Sequence, residues 1–543
     1  MGCGFLIKKY FQLRLDEILV AGLLISMVVA EYISLFMGVS VVAGIVVMLF
    51  AVIGYIVCRK EVKNNINLFI NSSIYTKLMC IMGILLLAIV FSVVAVQSPN
   101  YVDTGLYHAQ SIRWIEEYGV VRGLGNLHHR FAYNSAFLCL QALFSWKTII
   151  GQSLHGMNAY FAMLMLGYSI ISQHVFRGES FSVSDAVKII IPIYIFTVWK
   201  QLSSPNTDSM VLLLVVYIVA KWIDELEKGP SERNSFYAFL GLLVVAACTI
   251  KVSVAPMVLL LIKPIVKYIK QKDWLAILKW GLLVGVIILP YFARNVMISG
   301  YILYPYPSLD FFDVDWKMNQ YTVICDSKEI MAWGRNLFDV TLADAPITYW
   351  LPMWFANIEV VYKVLLIINP LFLILIVIYA IKSKNIDVFL LGNTFVVSNL
   401  FWLLTAPYIR FGLEYILFGT CVVCGYMVKH QANYKVQKIL VRGTFSVVGF
   451  MLVLYLLKCD TYRKFYPNDY PILGVNTIHF YNDIVINYPE GLANEGYYWY
   501  FPETPYPDYV ELIELRGTDL ADGFRIKPQY KNQQITAMGQ IVD

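Results

Sequence analysis

The chain has 543 residues, of which 59% are hydrophobic and 15% charged, and its mean hydropathy is +0.62. A soluble domain needs more charge than this to cover its surface, so the composition argues against a soluble globular protein. The net charge of +5 is small and lies in short Lys/Arg clusters. Such clusters are typical of loops that set membrane topology and do not indicate a nucleic-acid-binding surface.

Apolar runs recur along most of the chain at about the length that crosses a bilayer core. They predict an all-α polytopic membrane protein with about thirteen transmembrane helices. The fifth and seventh runs are short, so each could equally be a re-entrant or broken helix. The predicted spans are roughly 17–36, 39–58, 77–96, 153–172, 187–200, 209–226, 236–250, 254–268, 275–293, 361–381, 386–404, 411–428 and 439–458.

The charge of the connecting segments predicts the orientation. Basic connectors precede the first span and follow the second, eighth, tenth and twelfth. With thirteen spans, all of them fall on the side of the N-terminus, which the positive-inside rule makes cytoplasmic. The C-terminus and the segments rich in polar and aromatic residues then lie outside the cytoplasm.

This topology divides the chain into two parts. Residues 1–458 form the predicted transmembrane domain, with outer loops 97–152 and 294–360. Residues 459–543 contain no run of span length and are rich in Tyr, Pro and Asn, which predicts a small folded extracytoplasmic segment.

The first outer loop begins with a polar stretch around Asp103. A helix is expected from about Thr104 to Tyr118, with Gly119 as its stop and with Tyr107 and His108 near its start. Its apolar residues recur every three positions, which predicts an amphipathic helix on the outer membrane surface. The simplest role for Asp103 is an N-cap, worth about 1 kcal/mol. The neighbouring His128, Arg130 and Asn134 favour a functional site instead.

Three further charged residues fall at the outer ends of predicted spans. Asp208, in "SPNTDSM", is a candidate either for an N-cap or for a site residue. Lys251 is a lone cation in an apolar region, which marks a functional candidate or a side chain that snorkels to the interface. Arg410, in "TAPYIRFG", has the planar donor fork that suits a phosphate, and Arg294 in the second outer loop could assist it.

Two strings carry a resemblance to a known superfamily. They are "YVDTGLYHAQSIRWIEEYGVVRGLGNLHHRFAYNS" and "SGYILYPYPSLDFFDVDWK". Together with the many spans and an Asp at the start of the first large outer loop, they resemble the GT-C membrane glycosyltransferases. They are most similar to poorly characterised bacterial membrane proteins of surface-polysaccharide gene clusters. The resemblance covers most of residues 75–420 and leaves out the C-terminal segment.

The resemblance implies a location in the bacterial inner membrane and transfer of a sugar from a polyprenyl-phosphate donor. The acceptor would be a glycan or a lipid-linked molecule on the extracytoplasmic face. Asp103 would be the base, with His108 as runner-up, and Asp208 would orient the acceptor or a basic group. GT-C enzymes often carry a paired acidic motif at this point, whereas here Thr104 follows Asp103.

Cations are then expected around the leaving phosphate. Lys251 and Arg410, with Arg130 or Arg294, form the expected phosphate clamp, and Tyr107, His128 and Asn134 complete the expected substrate-binding set. No cofactor is specified, but a Mg²⁺ or Mn²⁺ ion held by Asp103 and Asp208 remains an alternative. A transporter or flippase, or an O-antigen-type polymerase for lipid-linked oligosaccharide, also remains open.

Overall fold

The computed structural model describes residues 1–229, 234–458, 474–481, 483–490 and 500–542, and 71% of the chain is helical. An all-α architecture fits residues 1–458, where every described regular element is a helix. The part of the C-terminal segment at 459–473, with Cys459, and the part at 491–499 lie outside the described residues.

The α-helices in chain order are α1 (Gly2–Phe11), α2 (Leu15–Ser34), α3 (Val41–Val57), α4 (Arg59–Ile70), α5 (Ile74–Ala95), α6 (Ala109–Glu117), α7 (Ala136–Leu143), α8 (Lys147–Ile150), α9 (Met157–Ser172), α10 (Val183–Thr197), α11 (Thr207–Glu227), α12 (Asn234–Ile250), α13 (Ile262–Lys270), α14 (Trp274–Ser299), α15 (Gln320–Gly334), α16 (Ile347–Asn357), α17 (Val360–Lys382), α18 (Ile386–Thr405), α19 (Leu413–Gln431), α20 (Tyr434–Lys458) and α21 (Asp508–Leu512). The strands are β1 (Val475–Tyr481), β2 (Ile484–Pro489), β3 (Ile513–Leu515), β4 (Phe524–Ile526), β5 (Gln534–Ile535) and β6 (Ile541–Val542). They form three antiparallel pairs, β1–β2, β3–β4 and β5–β6.

Each of the thirteen predicted spans coincides with helix, although not every helix is long enough to cross a bilayer. Within the described residues, seven helices are sufficiently long and apolar, and an eighth results if α3 and α4, bent by 78°, count as one span. The others are shorter, as α9, α10 and α12 are, or carry several charges, as α11 does. The seven are Leu15–Ser34, Ile74–Ala95, Val252–Lys270, Trp274–Ser299, Val360–Lys382, Ile386–Thr405 and Tyr434–Tyr455. The third of these consists of a 3-10 helix, Val252–Leu261, that continues directly into α13.

Burial separates an inner part of the bundle from an outer part. Side chains on all sides of α11 and α12 are buried, which is typical of helices enclosed by protein. In contrast, α3, α5, α14, α17 and α20 present many large apolar side chains on the surface. Exposed apolar faces on this scale are consistent with a membrane protein.

The two outer loops and the described C-terminal segment share a second core. Its buried members include Trp114 and Phe131 from the first loop, Tyr301 from the second, and Ile513 and Phe524 from the C-terminal segment. The C-terminal segment is therefore a small folded layer with short strands, packed on the outer loops.

The first outer loop differs from the expected surface helix. The chain makes a π-helical turn at Thr104–His108 and continues as α6, which ends before Gly119 at a φ of +77°. The predicted apolar stripe is buried, but so is most of the other side of α6. Trp114 packs on Phe501 at 4.6 Å between ring centres, because the C-terminal segment covers the polar side of the helix. The prediction that this helix lies on the membrane surface is wrong.

Candidate functional site

Four connections between helices meet at one end of the bundle, and each supplies a polar side chain. The stretch after α5 supplies Tyr101 and Asp103, the start of α11 supplies Asp208, the end of α12 supplies Lys251, and the turn between α18 and α19 supplies Arg410. Hydrogen bonds join these five residues, which we call the charged cluster. Four of them are residues singled out in the sequence.

Asp103 lies directly before the π-helical turn that leads into α6. Its side chain caps no N–H of that turn; Oδ2 instead accepts a hydrogen bond from Nη2 of Arg410 at 3.2 Å. Arg410 is its one hydrogen-bond partner among the described residues, and the Asp103 side chain is 18% exposed. π-helical turns occur frequently at functional sites. The helix-cap interpretation of Asp103 is therefore wrong.

Asp208 also has partners other than a helix end. Asn206 caps α11, which leaves the Asp208 carboxylate free to face the connections around it. Its Oδ2 accepts a hydrogen bond from the Tyr101 hydroxyl at 2.7 Å and lies 3.7 Å from Nε of Arg410. Its Oδ1 accepts from Nζ of Lys251. Asp208 therefore holds both cations of the cluster at once.

Aromatic rings enclose the two cations. Nζ of Lys251 lies 3.8 Å from the centre of the Phe411 ring. The guanidinium carbon of Arg410 lies 5.0 Å from the Tyr101 ring and 4.9 Å from the Tyr408 ring. Such contacts attract cations and strengthen where water is excluded. Lys251 thus pairs within the protein instead of snorkelling to the interface.

His108 and Tyr107 border the cluster. The His108 ring is 3% exposed, and its centre lies 4.2 Å from that of Tyr107 and 6.4 Å from that of Tyr101. Burial lowers the pKa of His108 to about 4, despite the nearby carboxylates of Asp103 and Asp208. His108 is therefore a neutral imidazole at pH 7, a form that can accept a proton.

His128 and Arg130 lie in a different group from the charged cluster. The His128 ring is fully buried and stacks on Tyr506 of the C-terminal segment at 4.9 Å. Arg130 donates from Nη2 to Oε1 of Glu329, on α15, at 2.7 Å. A ring contact of 5.5 Å between Tyr107 and Tyr133 connects this group to the cluster. The expected role of His128 and Arg130 in binding a substrate stays a prediction.

Arg294 and Asn134 form a third, internal group. The last turns of α14 extend to Ser299, so Arg294 lies on a helix and not in the outer loop as expected. Its guanidinium is buried and donates to Oδ1 of Asn134 at 3.1 Å and to Oγ of Ser34 at 2.5 Å. Both residues line a small pocket beneath α6. Arg294 therefore contacts Asn134 and Ser34 and not the charged cluster, so the expected phosphate clamp does not include it here.

The suggested metal site at Asp103 and Asp208 also stays a prediction. Both carboxylates face the cations Lys251 and Arg410, which already balance their charges. Two acids of the second outer loop are likewise paired: Asp310 accepts from Nζ of Lys317, and Asp315 accepts from Nε of Arg516 at 3.0 Å.

Tyr101 is the member of the cluster that the sequence did not single out as a site residue. Its hydroxyl accepts from Nη1 of Arg410 and donates to Asp208, so it connects the two halves of the cluster. The sequence offers little to distinguish Tyr101, because tyrosine is frequent throughout the outer loops and typical of interfacial belts. Its position two residues before Asp103 was the one distinguishing feature.

Fold and site together define a mostly helical protein with several helices able to cross a membrane and a partly buried ion-pair network at one end. The chain belongs to the family described as a domain of unknown function, DUF8201, whose model matches residues 1–417. That range includes the whole charged cluster and ends within α19. No curated protein and no solved structure matches the chain.

Proposed function

We propose that this protein is a glycosyltransferase that moves a sugar from a polyprenyl-phosphate donor to a glycan or lipid-linked acceptor. The observation that carries the proposal is the charged cluster. Asp103, whose one hydrogen-bond partner among the described residues is Arg410, lies at one end of the bundle in the same cluster as the cations Arg410 and Lys251. A base and a phosphate-binding pair are the two parts that this transfer needs.

A donor phosphodiester would compete with the two carboxylates of the cluster for its cations. Asp103 and Asp208 carry two negative charges, and Lys251 and Arg410 carry two positive charges. A donor phosphodiester adds one negative charge, which attracts the guanidinium of Arg410. Since Arg410 is the hydrogen-bond partner of Asp103, its movement to the phosphate would release the Asp103 carboxylate for the acceptor.

In the proposed step, the acceptor hydroxyl oxygen attacks the anomeric carbon and its proton passes to Asp103. The bond between that carbon and the phosphate oxygen breaks, and the lipid phosphate leaves with the electron pair. Lys251 and Arg410 stabilise the charge that develops on it. Asp208 keeps Lys251 in place, and the neutral imidazole of His108 is an alternative proton acceptor.

The proposal also includes the membrane arrangement. About thirteen spans in a bacterial inner membrane, with a cytoplasmic N-terminus, would place the charged cluster and the C-terminal segment outside the cytoplasm. Two observations support a common side for the cluster and the C-terminal segment: the cluster lies after α5 and α12 and before α11 and α19, and the C-terminal segment packs on the loops 97–152 and 294–360. The partners would be the lipid-linked donor, the acceptor and the bilayer.

A direct test incubates the purified full-length protein with a panel of synthetic polyprenyl-phosphate hexoses and pentoses and an acceptor extract. Enzyme-dependent release of lipid phosphate, with transfer of the sugar, is the expected result. In parallel, liposomes that contain the protein receive a fluorescent donor analogue on one side. Translocation without release of lipid phosphate would contradict the proposal and support the transporter alternative.

A further inference from the structure

A second group of ionisable side chains lies between the first outer loop, α15 and the C-terminal segment. Its ligand-type residues are His129, Asp326 and Glu329, and all three are buried. We propose that these residues bind one divalent transition-metal ion, with Zn²⁺ as the best match, at a site separate from the charged cluster. The proposal goes beyond the proposed glycosyl transfer and does not depend on it.

The three ligand atoms converge on one point. Asp326 and Glu329 are three residues apart on α15, so both project from the same face of the helix. His129 opens a short 3-10 helix, His129–Ala132, that lies opposite this face. One ligand atom from each residue lies within 4.8 Å of the other two.

The spacing fits an ion better than direct hydrogen bonds. Nε2 of His129 is 3.6 Å from Oδ1 of Asp326 and 4.0 Å from Oε2 of Glu329, both too long for hydrogen bonds. Ligands about 2.1 Å from a tetrahedral ion are about 3.4 Å apart. The two His129 separations are close to this value, and the two carboxylate oxygens lie within 4.8 Å of each other, so the ligands would move closer together around a bound ion.

The ring nitrogens of His129 lack hydrogen-bond partners among the described residues, and a bound ion would give one of them a ligand bond. The His129 ring is 0% exposed, and neither of its nitrogens has a hydrogen-bond partner among the described residues. Buried polar atoms without partners are rare in folded proteins. Nε2 points to the two carboxylates, and metal coordination would give it a bond that the protein itself does not provide.

Surrounding side chains already orient the two carboxylates. Asp326 accepts hydrogen bonds from the hydroxyl of Tyr133 at 2.6 Å and from that of Tyr304 at 2.7 Å. Oε1 of Glu329 accepts from Arg130 at 2.7 Å, which leaves Oε2 facing His129. Hydrogen-bonded partners behind the ligands are a general property of metal sites.

The choice of ion follows from the donor set. One imidazole nitrogen and two carboxylate oxygens, with water as the fourth ligand, resemble the three-ligand Zn²⁺ sites of proteins. Mg²⁺ prefers oxygen ligands in octahedral geometry and keeps several waters, for which this buried position offers a poorer match. The Tyr506 ring covers His129 at 5.5 Å, so the ion would connect the first outer loop and α15 beneath the C-terminal segment.

The alternative occupant of this site is a proton on His129. It would balance the one negative charge left by Asp326, Glu329 and Arg130. However, the 3.6 Å separation is long for a charged hydrogen bond, which is usually shorter than 3 Å. The experiment therefore separates a metal ion from a proton.

The test uses the full-length protein purified in detergent through a tag without histidine. The bound metal is measured by mass spectrometry before and after dialysis against EDTA, and thermal unfolding follows re-addition of Zn²⁺, Mn²⁺ or Mg²⁺. We expect about one Zn²⁺ per chain, which EDTA removes, and a Tm that rises by several degrees when Zn²⁺ is restored. Replacement with Co²⁺ should give the visible absorption of a coordinated ion.

Variants locate the ion. Glu329→Gln and His129→Gln should lose the ion and the Tm response, and Tyr133→Phe, which keeps all three ligands, should bind it about 10-fold to 100-fold more weakly. His174→Gln is the matched control, because His174 also lies beside two carboxylates but makes an ordinary hydrogen bond to Asp185 at 2.9 Å. It should keep the ion.

Three outcomes would overturn the proposal. The wild-type protein could contain no ion and show no Tm response to Zn²⁺, it could respond only at millimolar Zn²⁺, or both ligand variants could retain wild-type metal content. A pH dependence of the Tm that His129→Gln removes, with no response to metal, would assign the site to a protonated His129. The activity assay plays no part here, so a failure of this proposal is distinguishable from a failure of the proposed function.

Discussion

Arg410 is the residue that joins the two carboxylates of the charged cluster. Its guanidinium donates from Nη2 to Asp103 and lies with Nε 3.7 Å from Asp208, while Nη1 donates to Tyr101. A lysine at this position would have one donor centre and could not contact all three groups at once. The planar fork of arginine therefore explains how one side chain can hold the base and later reach the phosphate.

At the same scale, His108 should make the protein sensitive to acid. Burial lowers the pKa of His108 to about 4, whereas an unfolded histidine has a pKa of about 6.5. Its contribution to stability is therefore fully present above pH 6.5 and is lost as the pH falls toward 4. Between pH 7 and 4, the wild type should lose about 3 kcal/mol more unfolding free energy than His108→Gln.

The measurement for His108 is thermal unfolding in detergent across this pH range. His479→Gln is the control, because His479 is exposed on β1 and its replacement should keep the wild-type pH dependence. If His108→Gln and the wild type lose stability in parallel as the pH falls, the imidazole is not held neutral by burial.

Sequence identified the residue types of the cluster but not their partners. An Asp before a helix predicts a cap, and nothing local in the chain shows that Asp103 pairs with Arg410, 307 positions away. Arg294 is a similar case. It was predicted to lie in a loop, but α14 continues to Ser299 and places it inside the bundle. The sequence does not indicate a site at Asp326 and Glu329, because the proposed metal site also needs His129, which is distant in sequence.

At the scale of elements, α6 depends on a left-handed residue at its end. Gly119 has a φ of +77°, and a Cβ there would lie 2.3 Å from the carbonyl oxygen of Ser34 and 2.4 Å from that of Met37. Glycine adopts this conformation without strain and leaves room for both carbonyls. The end of α2 can therefore pack against the end of α6.

Gly119→Ala should consequently reduce stability through strain and crowding together, by about 2–4 kcal/mol. Gly151→Ala is the matched control, because Gly151 has a φ of +82° but open space around it, so about 1 kcal/mol of strain remains. Thermal unfolding of the two variants measures the difference. Equal losses would show that the close approach to α2 does not restrict this position.

The pattern of α6 shows what periodicity can and cannot predict. Leu106, Ala109, Ile112 and Ile115 are all buried, as their spacing indicated. The same spacing could not show that Trp114 is buried as well, because its partner Phe501 comes from the C-terminal segment. A prediction from one element cannot include a layer that folds over it from elsewhere.

For the whole molecule, hydropathy predicted where the helices lie along the chain, but not how many of them cross the membrane. All thirteen predicted runs are helical, yet seven or eight satisfy length and apolarity together. Helices such as α11 are buried by neighbours and need not be apolar along their full length. Composition alone therefore does not show which of the thirteen helices cross the bilayer.

Reporter fusions test the thirteen-span topology. Alkaline phosphatase, which is active only outside the cytoplasm, should be active after residue 543 and inactive after residue 432, between α19 and α20. Green fluorescent protein at the same two positions should give the opposite pattern. Activity of phosphatase at both positions, or at neither, would require a different number of spans.

The proposed transfer depends above all on Asp103 as the base of the charged cluster. The most direct measurement compares the initial rate of lipid-phosphate release by wild-type protein, Asp103→Asn and the control Asp313→Asn, an exposed acid of the second outer loop. We expect a loss of about 10²-fold to 10⁴-fold for Asp103→Asn with unchanged thermal unfolding, and a wild-type rate for Asp313→Asn. A folded Asp103→Asn protein that releases lipid phosphate at the wild-type rate would show that Asp103 is not the base.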